Sequence, residues 1–462
     1  MTTSRPTVSI VVCSVGRPAA LELCLDALSH LEDVPFEVIV VLGPGAESSA
    51  ASIAQRAEVA TIIHSPERNL SLSRNLGADA ARGDVIAFID DDAYPIESWL
   101  ADLVPAFDDP EVAATGGETL DYTGWTHQAV ASWCTLAGDA RPLLAQPTAG
   151  LSETPAARTF AYPIGTNLLV RTEALRAVGG FDEQFDYYHD ETDLSRRLLD
   201  AGWIVRPLPR GTVFHKFLPS SIRSERRIAT DRRSILVNRA YFAARHQAPD
   251  EGVEQVILDF EAFAALHRRE LAEAESTGIV PVGTLAAFDG HRHEAIRRLA
   301  SWLAAPPLAR VHHPDPGAVE VARPRTTLTL RSSVSHIALV APGGHASTEV
   351  EALVTTLVHE GRRVHVIEHG ETHSTVDLER GAWRHRLAPG PGVDVLAGDT
   401  PPMAPLLAEV ARTAATLHPL DVVVGDAADL DSLPARPERR VDIDLLARCT
   451  TAAARGALLE PS

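Results

Sequence analysis

The chain has 462 residues, of which 45% are hydrophobic and 23% are charged, a composition typical of folded globular domains rather than of disordered chains. Its length exceeds that of one ordinary core and predicts two or three domains. The formal net charge of -20 argues against a general nucleic-acid-binding protein, which would need a basic surface.

The cysteines, the N-terminal residues and the lengths of the apolar stretches indicate the cellular compartment. Cys13, Cys24, Cys134 and Cys449 lie far apart, without the close pairs typical of zinc sites or disulfide frameworks. The first residues are polar and lead into a predicted strand, so no signal peptide is predicted. No apolar stretch approaches the roughly 18–20 residues needed to cross a bilayer. We therefore expect a cytoplasmic protein without a transmembrane segment, whose membrane contact, if any, would be peripheral on the inner face.

Short strands alternate with amphipathic helices over the first part of the chain. The predicted strands are 7–13, 36–42, 61–64 and 85–89, and the predicted helices begin at Pro18 and span 48–56 and 72–81. Alternation at this pace predicts an α/β fold with a parallel sheet and right-handed crossovers.

The fourth predicted strand ends in three carboxylates. Five apolar residues from Val85 to Ile89 run directly into Asp90, Asp91 and Asp92, and such a run is typical of a strand buried on both faces. Unpaired carboxylates are costly to bury, so these must face water, a cation or a ligand at the edge where α/β sheets place their sites. Taken alone, the motif is equally compatible with a solvated acidic turn and with a Mg²⁺ or Mn²⁺ site.

The middle of the chain continues the α/β pattern with one interruption. A helix at 99–107, a strand at 112–117, ordered structure at 161–170, helices at 172–178 and 191–201, and strands at 203–206 and 212–215 are predicted. Residues 121–160 have little periodicity and several Gly and Pro, which favours a loop-rich insertion.

The rest of the chain separates into a helical part and a second α/β part. Residues 223–303 have broken helical periodicity, 305–333 are rich in Pro, His and Arg, and a strand–helix–strand unit begins at His336. Its predicted strands are 337–341, 364–368 and 421–425, with a helix at 348–360 between the first two. We expect a first domain at 1–245, a helical extension and linker at 246–334, and a small Rossmann-like domain at 335–462.

Several blocks in the first 245 residues resemble, in order, family 2 glycosyltransferases with the GT-A fold, the nucleotide-diphospho-sugar transferase architecture. They are the opening strand before Arg17-Pro18, Asn69 with Arg74-Asn75 and Gly77, the acidic triplet, Gly165 to Arg171, Gly179 to Glu183, Asp190 to Leu194 with Arg196-Arg197, and His215-Lys216. The order of the blocks makes this resemblance more specific than the triplet alone.

The resemblance implies a divalent cation and a set of donor contacts. Asp90, Asp92 and His215 would hold Mn²⁺ or Mg²⁺, which stabilises the charge of a leaving diphosphate. Arg74 could hydrogen-bond phosphate oxygens. The set expected to bind the nucleotide sugar consists of Ser14, Arg17, Asn69, Arg74, Asp90 and Asp91.

The resemblance also implies a general base and an acceptor side. The base would be Glu191, with Asp190 as an alternative, because this chain has Asp before Glu where the family commonly has the reverse order. Gly165, Asn167 and Trp203 are expected on the acceptor side. The implied reaction is single displacement with inversion, moving a hexose to an acceptor hydroxyl. Each residue also has a plain structural interpretation, such as helix capping for Asp190 and Glu191 or packing for Trp203.

The sequence departs from the family pattern at two places, so it does not identify the nucleotide or the acceptor. Leu42-Gly43-Pro44-Gly45 stands where the family commonly has acidic nucleoside contacts, and Cys13-Ser14-Val15-Gly16 replaces its usual first-strand end. The nucleotide could be UDP, dTDP or GDP, and the acceptor a glycan, a lipid-linked glycan or a small molecule. A sugar-nucleotide-binding or glycan-binding scaffold with impaired catalysis is the alternative. A nucleotidyltransferase has less support, since no lysine-containing glycine-rich loop follows the first strand.

Two further features have open roles. The arginines at 223, 226, 227, 232 and 233 could form a flap over the diphosphate, a patch for an anionic acceptor or a solvated helix face. Residues 336–460 weakly resemble the N-terminal half of a GT-B glycosyltransferase, through Leu339 to Gly344, Val364 to Glu368 and Asp421 to Asp426. We expect an accessory module for docking, acceptor binding or dimer contacts, and self-association is left open.

Overall fold

The computed structural model describes most of the N-terminal two thirds of the chain and parts of the remainder. The described residues are 7–31, 33–53, 56, 59–122, 127–143, 158–220, 229–310, 320–322, 336–341, 345–360, 362–370, 375–379, 382–387, 422–425 and 439–442.

The described strands and helices follow the predicted alternation. The strands are β1 (Val8–Ser14), β2 (Phe36–Leu42), β3 (Val59–His64), β4 (Val85–Asp90), β5 (Ala93–Pro95), β6 (Val112–Gly116), β7 (Thr119–Leu120), β8 (His127–Ala129), β9 (Ala131–Thr135), β10 (Ala140–Leu143), β11 (Thr159–Tyr162), β12 (Leu168–Arg171), β13 (Ile204–Pro207), β14 (Val213–His215), β15 (Glu320–Ala322), β16 (His336–Val340), β17 (Arg363–His369), β18 (Thr375–Glu379), β19 (Ala382–Leu387), β20 (Val422–Gly425) and β21 (Arg439–Asp442). The helices are α1 (Pro18–Leu28), α2 (Glu47–Ile53), α3 (Leu70–Ala80), α4 (Trp99–Leu103, continued by a 3₁₀ turn at Val104–Asp108), α5 (Thr172–Ala177), α6 (Asp190–Asp200), α7 (Arg233–His246), α8 (Ala248–Glu251), α9 (Val253–Ser276), α10 (Thr284–Ala304) and α11 (Thr348–His359).

A central eight-stranded sheet organises the first part of the chain. Its order is β13-β6-β12-β4-β1-β2-β3-β15. The first four strands of the chain pair in parallel, as predicted. Strand β12 departs from this arrangement, because it runs antiparallel between β4 and β6. Strand β12 follows the long insertion after β7, so the chain enters it from the opposite end of the sheet.

Helices cover both faces of this sheet. Successive residues of β1 alternate between the two hydrophobic clusters: Ile10 and Val12 belong to the one that includes α1 residues, and Val11 to the one that includes α6 residues. Burial on both faces explains why the strands are continuous apolar runs rather than alternating ones. The strand before the acidic triplet is therefore a central buried strand, as predicted.

The predicted loop-rich insertion contains strands. Strands β10, β9 and β11 form a three-stranded antiparallel sheet, and β8 joins a second small sheet in the order β5-β14-β7-β8. These strands have only three to five residues each, too few to give a clear period-2 pattern. Residues 144–157 lie outside the described part of the chain.

Helices α7, α9 and α10 share a core that extends across the predicted boundary at residue 245. They pack around buried residues such as Leu236, Phe260 and Phe288, which agrees with the predicted helical periodicity. Strand β15 falls in the predicted linker and pairs with the edge strand β3. Within the described residues, none of the helices combines the length and apolar character needed to cross a membrane.

A second sheet of six strands occupies the C-terminal part, in the order β18-β19-β17-β16-β20-β21. Parallel β16 and β17 are connected by α11, so the predicted strand–helix–strand unit is present. The glycines after the first strand of this unit, at 343 and 344, lie outside the described residues. The domain boundaries at 245 and 334 stay predictions.

Candidate active site

Three carboxylates lie at the carboxyl end of β4: Asp90 is the last residue of the strand, and Asp91 and Asp92 follow it. Asp91 and Asp92 are almost completely buried, with exposures of 0% and 2%, whereas Asp90 is partly exposed. Buried carboxylates require charged or hydrogen-bonding partners. The partners of each acid therefore show what the triplet is built to do.

Asp90, Asp92 and His215 form a group able to hold a metal ion. One ligand atom from each lies within 4.8 Å of the others. His215 Nε2 is 3.5 Å from Asp92 Oδ1 and 3.9 Å from Asp90 Oδ2. His215 lies close to the aspartates because its strand, β14, pairs antiparallel with β5. This pairing places His215 opposite Ala93, the residue after Asp92. Two carboxylates with one imidazole fit Mn²⁺ or Mg²⁺ among other divalent ions.

Gln128 orients the histidine. Its Oε1 lies 2.8 Å from His215 Nδ1, and because an amide oxygen only accepts, Nδ1 must carry the proton. The other ring nitrogen, Nε2, faces the two aspartates and is the atom that would ligate a bound cation. Sequence reasoning did not find Gln128, because it lies in the insertion with weak periodicity and no local motif indicates it.

The two oxygens of Asp92 have different environments. Oδ2 accepts hydrogen bonds from Arg17 Nη1 at 3.0 Å and from the Leu218 amide at 2.8 Å, while Oδ1 faces His215. Burial alone would raise the pKa of Asp92, but His215, Arg17 and the Leu218 amide together lower it below its ordinary value. Asp92 is thus an ionised carboxylate whose Oδ1 is directed toward His215.

Asp91 connects Ser14 and Arg17 rather than facing the metal group. Its Oδ2 accepts from Ser14 Oγ at 2.6 Å and from Arg17 Nε at 3.3 Å, and Oδ1 accepts from Arg17 Nη2. Burial raises the pKa of Asp91 to about 7 despite these partners. The side chains of Ser14 and Arg17, predicted to bind the nucleotide sugar, are therefore engaged with the acidic triplet.

Arg74 links the metal group to the start of α6. It is 3% exposed, forms a buried ion pair with Asp190 through Nη1, and has Nη2 at 3.6 Å from Asp90 Oδ1. A Cβ at position 165 would lie 2.5 Å from Arg74 Nη2, so any residue other than glycine there would require the guanidinium to shift. The predicted phosphate contact of Arg74 stays a prediction, because two carboxylates already occupy this side chain.

Glu191 lies beside the Arg74–Asp190 pair. Part of its side chain is exposed, and burial of the rest together with the charge of Asp190 raises its pKa well above the ordinary value. A raised pKa makes the ionised carboxylate a stronger proton acceptor. Asp190, with Arg74 on one oxygen, is the less available of the two.

A strained turn precedes these acids. Tyr188 and His189 adopt positive φ angles of 75° and 71°, an uncommon conformation for residues with side chains. Asn238 of α7 donates to the Tyr187 carbonyl at 2.7 Å and to Asp186 Oδ1 at 3.1 Å. Helix α7 therefore stabilises the turn that sets the direction of α6.

Three other predicted residues have structural contacts. Asn69 caps α3, accepting from the Leu72 amide at 3.0 Å, and Trp203 packs against the core cluster beside α6. Asn167 is completely buried and accepts from Trp99 Nε1 at 2.9 Å while donating to the carbonyls of Glu118 and Gly211. The structure brings Arg17, Arg74, Asp190 and the metal group together, whereas Asn69 and Asn167 use their polar atoms on protein groups.

Comparison with known proteins gives the site a context. Residues 9–177 match the model of glycosyl transferase family 2. This range includes Arg74 and the acidic triplet and ends before Glu191 and His215. A pre-mycofactocin glycosyltransferase of Mycobacterium tuberculosis is 27% identical over 185 residues, which are 38% of this chain and 37% of that protein. An N-acetylglucosaminyl-diphospho-decaprenol L-rhamnosyltransferase of the same species is 41% identical over 61 residues, 13% of this chain and 20% of that protein.

Solved structures give more distant similarities. A mannosyltransferase of Pyrobaculum calidifontis in complex with GDP-Man and Mn²⁺ has 17% identity and a TM-score of 0.38, covering 65% of this chain and 84% of its own. S. aureus TarS 1-349 in complex with UDP-GlcNAc has 15% identity and a TM-score of 0.41, with coverages of 64% and 83%.

The first part of the chain has the predicted α/β fold, built on a central sheet that is mainly parallel. Residues 9–177 of this part match glycosyl transferase family 2, a range of less than half of the chain. The chain spans well under half of the length of the mycobacterial relatives that it matches.

Proposed function

We propose that this chain is a metal-dependent, inverting glycosyltransferase that moves a hexose from a nucleotide-diphosphate sugar to an acceptor hydroxyl. The observation that carries the proposal is the Asp90–Asp92–His215 group, joined through Arg74 to the Asp190–Glu191 pair. A bound Mn²⁺ or Mg²⁺ would neutralise charge on the leaving diphosphate. Asp90 Oδ2, Asp92 Oδ1 and His215 Nε2 are the atoms that would hold it.

The proton is accepted by Glu191. The acceptor oxygen attacks the anomeric carbon as its O–H bond breaks, and the proton goes to the Glu191 carboxylate. A new C–O bond forms on the face opposite the leaving group, while the bond to the diphosphate oxygen breaks and that oxygen takes the electron pair. One displacement of this kind inverts the anomeric configuration.

The proposal assigns the donor and the acceptor only to chemical classes. UDP, dTDP and GDP are all candidates for the nucleotide. The names of two relatives refer to pre-mycofactocin and to N-acetylglucosaminyl-diphospho-decaprenol, so glycan, lipid-linked and small-molecule acceptors all belong in the acceptor panel. We place the reaction in the cytoplasm, on the basis of the sequence expectation.

A substrate panel with matched variants tests the proposal. Full-length protein with Mn²⁺ is incubated with UDP-, dTDP- and GDP-hexoses and the acceptor panel, and released nucleoside diphosphate is measured. Asp92→Asn and Glu191→Gln should each reduce turnover by at least about 100-fold. Asp108→Asn and Glu173→Gln, which change exposed acids, should leave it unchanged. Equal turnover in all four variants would refute the assigned roles.

A binding scaffold without turnover is the second candidate. The engagement of Ser14 and Arg17 by Asp91 favours it, since these side chains would otherwise be available to a nucleotide. Metal-dependent binding of UDP, dTDP or GDP without product from any acceptor would support this candidate over transfer.

A further inference from the structure

The C-terminal sheet contacts the strand that carries the metal-site histidine. Strands β18 and β19 form an antiparallel hairpin at the edge of that sheet. Val376, Leu378 and Trp383 of this hairpin are at most 2% exposed and belong to the same hydrophobic cluster as Tyr94 and Phe214 of the first domain. Strand β18 also packs against α1. The hairpin is thus part of the core beneath the metal site.

Trp383 contacts both strands that flank the metal group. Its ring lies 5.4 Å from that of Phe214 on β14 and 6.4 Å from that of Tyr94 on β5. Its indole Nε1 donates to Glu97 Oε1 at 3.1 Å, and Glu97 is only 1% exposed. Because a buried carboxylate requires donors, this hydrogen bond fixes Trp383 against the segment after β5.

Lys216 provides the second connection and is the only lysine in the chain. Its side chain is largely buried, with Nζ 2.7 Å from Asp377 Oδ1 and also donating to the Val376 carbonyl. Its backbone amide donates to the Asp92 carbonyl at 2.9 Å. One residue therefore joins the hairpin to a predicted metal ligand.

Side chains alternate between the two sides of an extended segment, so neighbours of His215 point away from the metal site. Phe214 and Lys216 precede and follow His215, so they face the hairpin while His215 faces the aspartates. We propose that the β18–β19 hairpin docks on the β5–β14 strand pair, and that Asp377 and Trp383 are positioning residues for the metal site. This inference rests on the metal site of the proposed function but not on transfer itself.

Metal binding by the full chain tests the docking role. The probe is Mn²⁺ alone, titrated without nucleotide and measured by the paramagnetic resonance signal of free Mn²⁺. Asp377→Asn and Trp383→Phe should each weaken the Mn²⁺ Kd by about 3–10-fold, less than the roughly 10–100-fold loss typical when a direct partner of a ligand is removed. Glu379→Gln is the matched control, since Glu379 and Asp377 both pair with Arg386 and no described contact joins Glu379 to the first domain.

The outcomes separate the docking role from the proposed function. A double-mutant cycle of Lys216→Met with Asp377→Asn should be non-additive, because both variants remove the same ion pair. Wild-type Mn²⁺ affinity in both Asp377→Asn and Trp383→Phe would overturn the docking role alone. Absence of Mn²⁺ binding to the wild-type chain would overturn the metal site and this inference with it, whereas weaker binding in a chain without transferase activity would support the inference only. Should Asp377→Asn fail to fold, the conservative Trp383→Phe decides.

Discussion

At the metal group, each polar atom has a separate partner. Asp92 presents Oδ1 to His215 and Oδ2 to Arg17 and the Leu218 amide. Asp90 presents Oδ2 to His215 and Oδ1 to Arg74. This division leaves one oxygen of each carboxylate and one ring nitrogen directed at the same point, while protein groups hold the remaining atoms in place.

Gln128 should determine how well that point binds a cation. In Gln128→Leu the acceptor for His215 Nδ1–H is lost, so the ring is free to rotate or to change tautomer. We expect Mn²⁺ affinity to fall by about 10–100-fold, measured by titration of the full chain. Gln128→Glu keeps an acceptor oxygen and should retain most of the affinity. Equal losses in both variants would show that the hydrogen bond is not the cause.

Ionisation of Glu191 should determine how kcat/KM falls on the acidic side of its pH profile. Burial and the neighbouring Asp190 charge raise the pKa of Glu191, and the groups facing it also include Arg74, Tyr162, Tyr188 and Cys134. The base must be ionised, so kcat/KM should fall as pH decreases through this raised pKa, at a higher pH than for an exposed glutamate. The residual rate of Glu191→Gln should lack this fall. A fall that persists in that variant would assign it to another group.

At the scale of elements, α6 is joined to α7 by a buried ion network. Asp193 is fully buried and accepts from Arg197 at 2.7 Å, and from Arg245 and His246 at 2.8 Å each. These contacts join α7 to the helix that begins with Asp190 and the proposed base Glu191. Removing one partner of a buried charge pair is costly, because the others are left uncompensated.

The network should make stability depend on pH in one direction. Burial alone would raise the pKa of Asp193, but Arg197, His246 and Arg245 lower it below its unfolded value. Its contribution is therefore present above about pH 4, the unfolded pKa of aspartate, and is lost as pH falls through the folded pKa. Asp193→Asn should lower the free energy of unfolding by about 3–5 kcal/mol at pH 7.

Thermal melting checks this expectation. The difference in melting temperature between wild type and Asp193→Asn should be large at pH 7 and should shrink as the pH is lowered below 4. Glu173→Gln, which changes an exposed acid of α5, should melt like the wild type. A constant difference across the pH range would exclude ionisation of Asp193 as the source.

The same elements show what the sequence could predict. The apolar runs of β1, β2 and β4 and the helix after Pro18 were predictable, because burial on both faces and helical spacing leave local patterns. The direction of β12 and the strands of the insertion were not predictable, because short antiparallel strands are defined by distant partners.

For the site, the ordered sequence blocks indicated Asp90, Asp92 and His215. Gln128 lies 87 residues from His215 and Asp377 lies 161 residues from Lys216, so no local pattern reveals either contact.

At the scale of the whole molecule, the second sheet is joined to the first domain through a buried surface. Trp383 and Lys216 make the connecting contacts, and the expected accessory role of the C-terminal part stays a prediction. Helix α7 similarly supports the turn before α6 through Asn238. The C-terminal hairpin and α7 thus both contact segments next to residues proposed for the reaction.

The stereochemistry and metal dependence of one reaction test the account most directly. Proton NMR would follow the full chain with the best donor and acceptor from the panel, first with EDTA and then after addition of excess Mn²⁺. The account predicts no product until Mn²⁺ is added, and then a single product with anomeric configuration opposite to that of the donor. Product formed at the same rate in EDTA, or with the donor configuration retained, would contradict it.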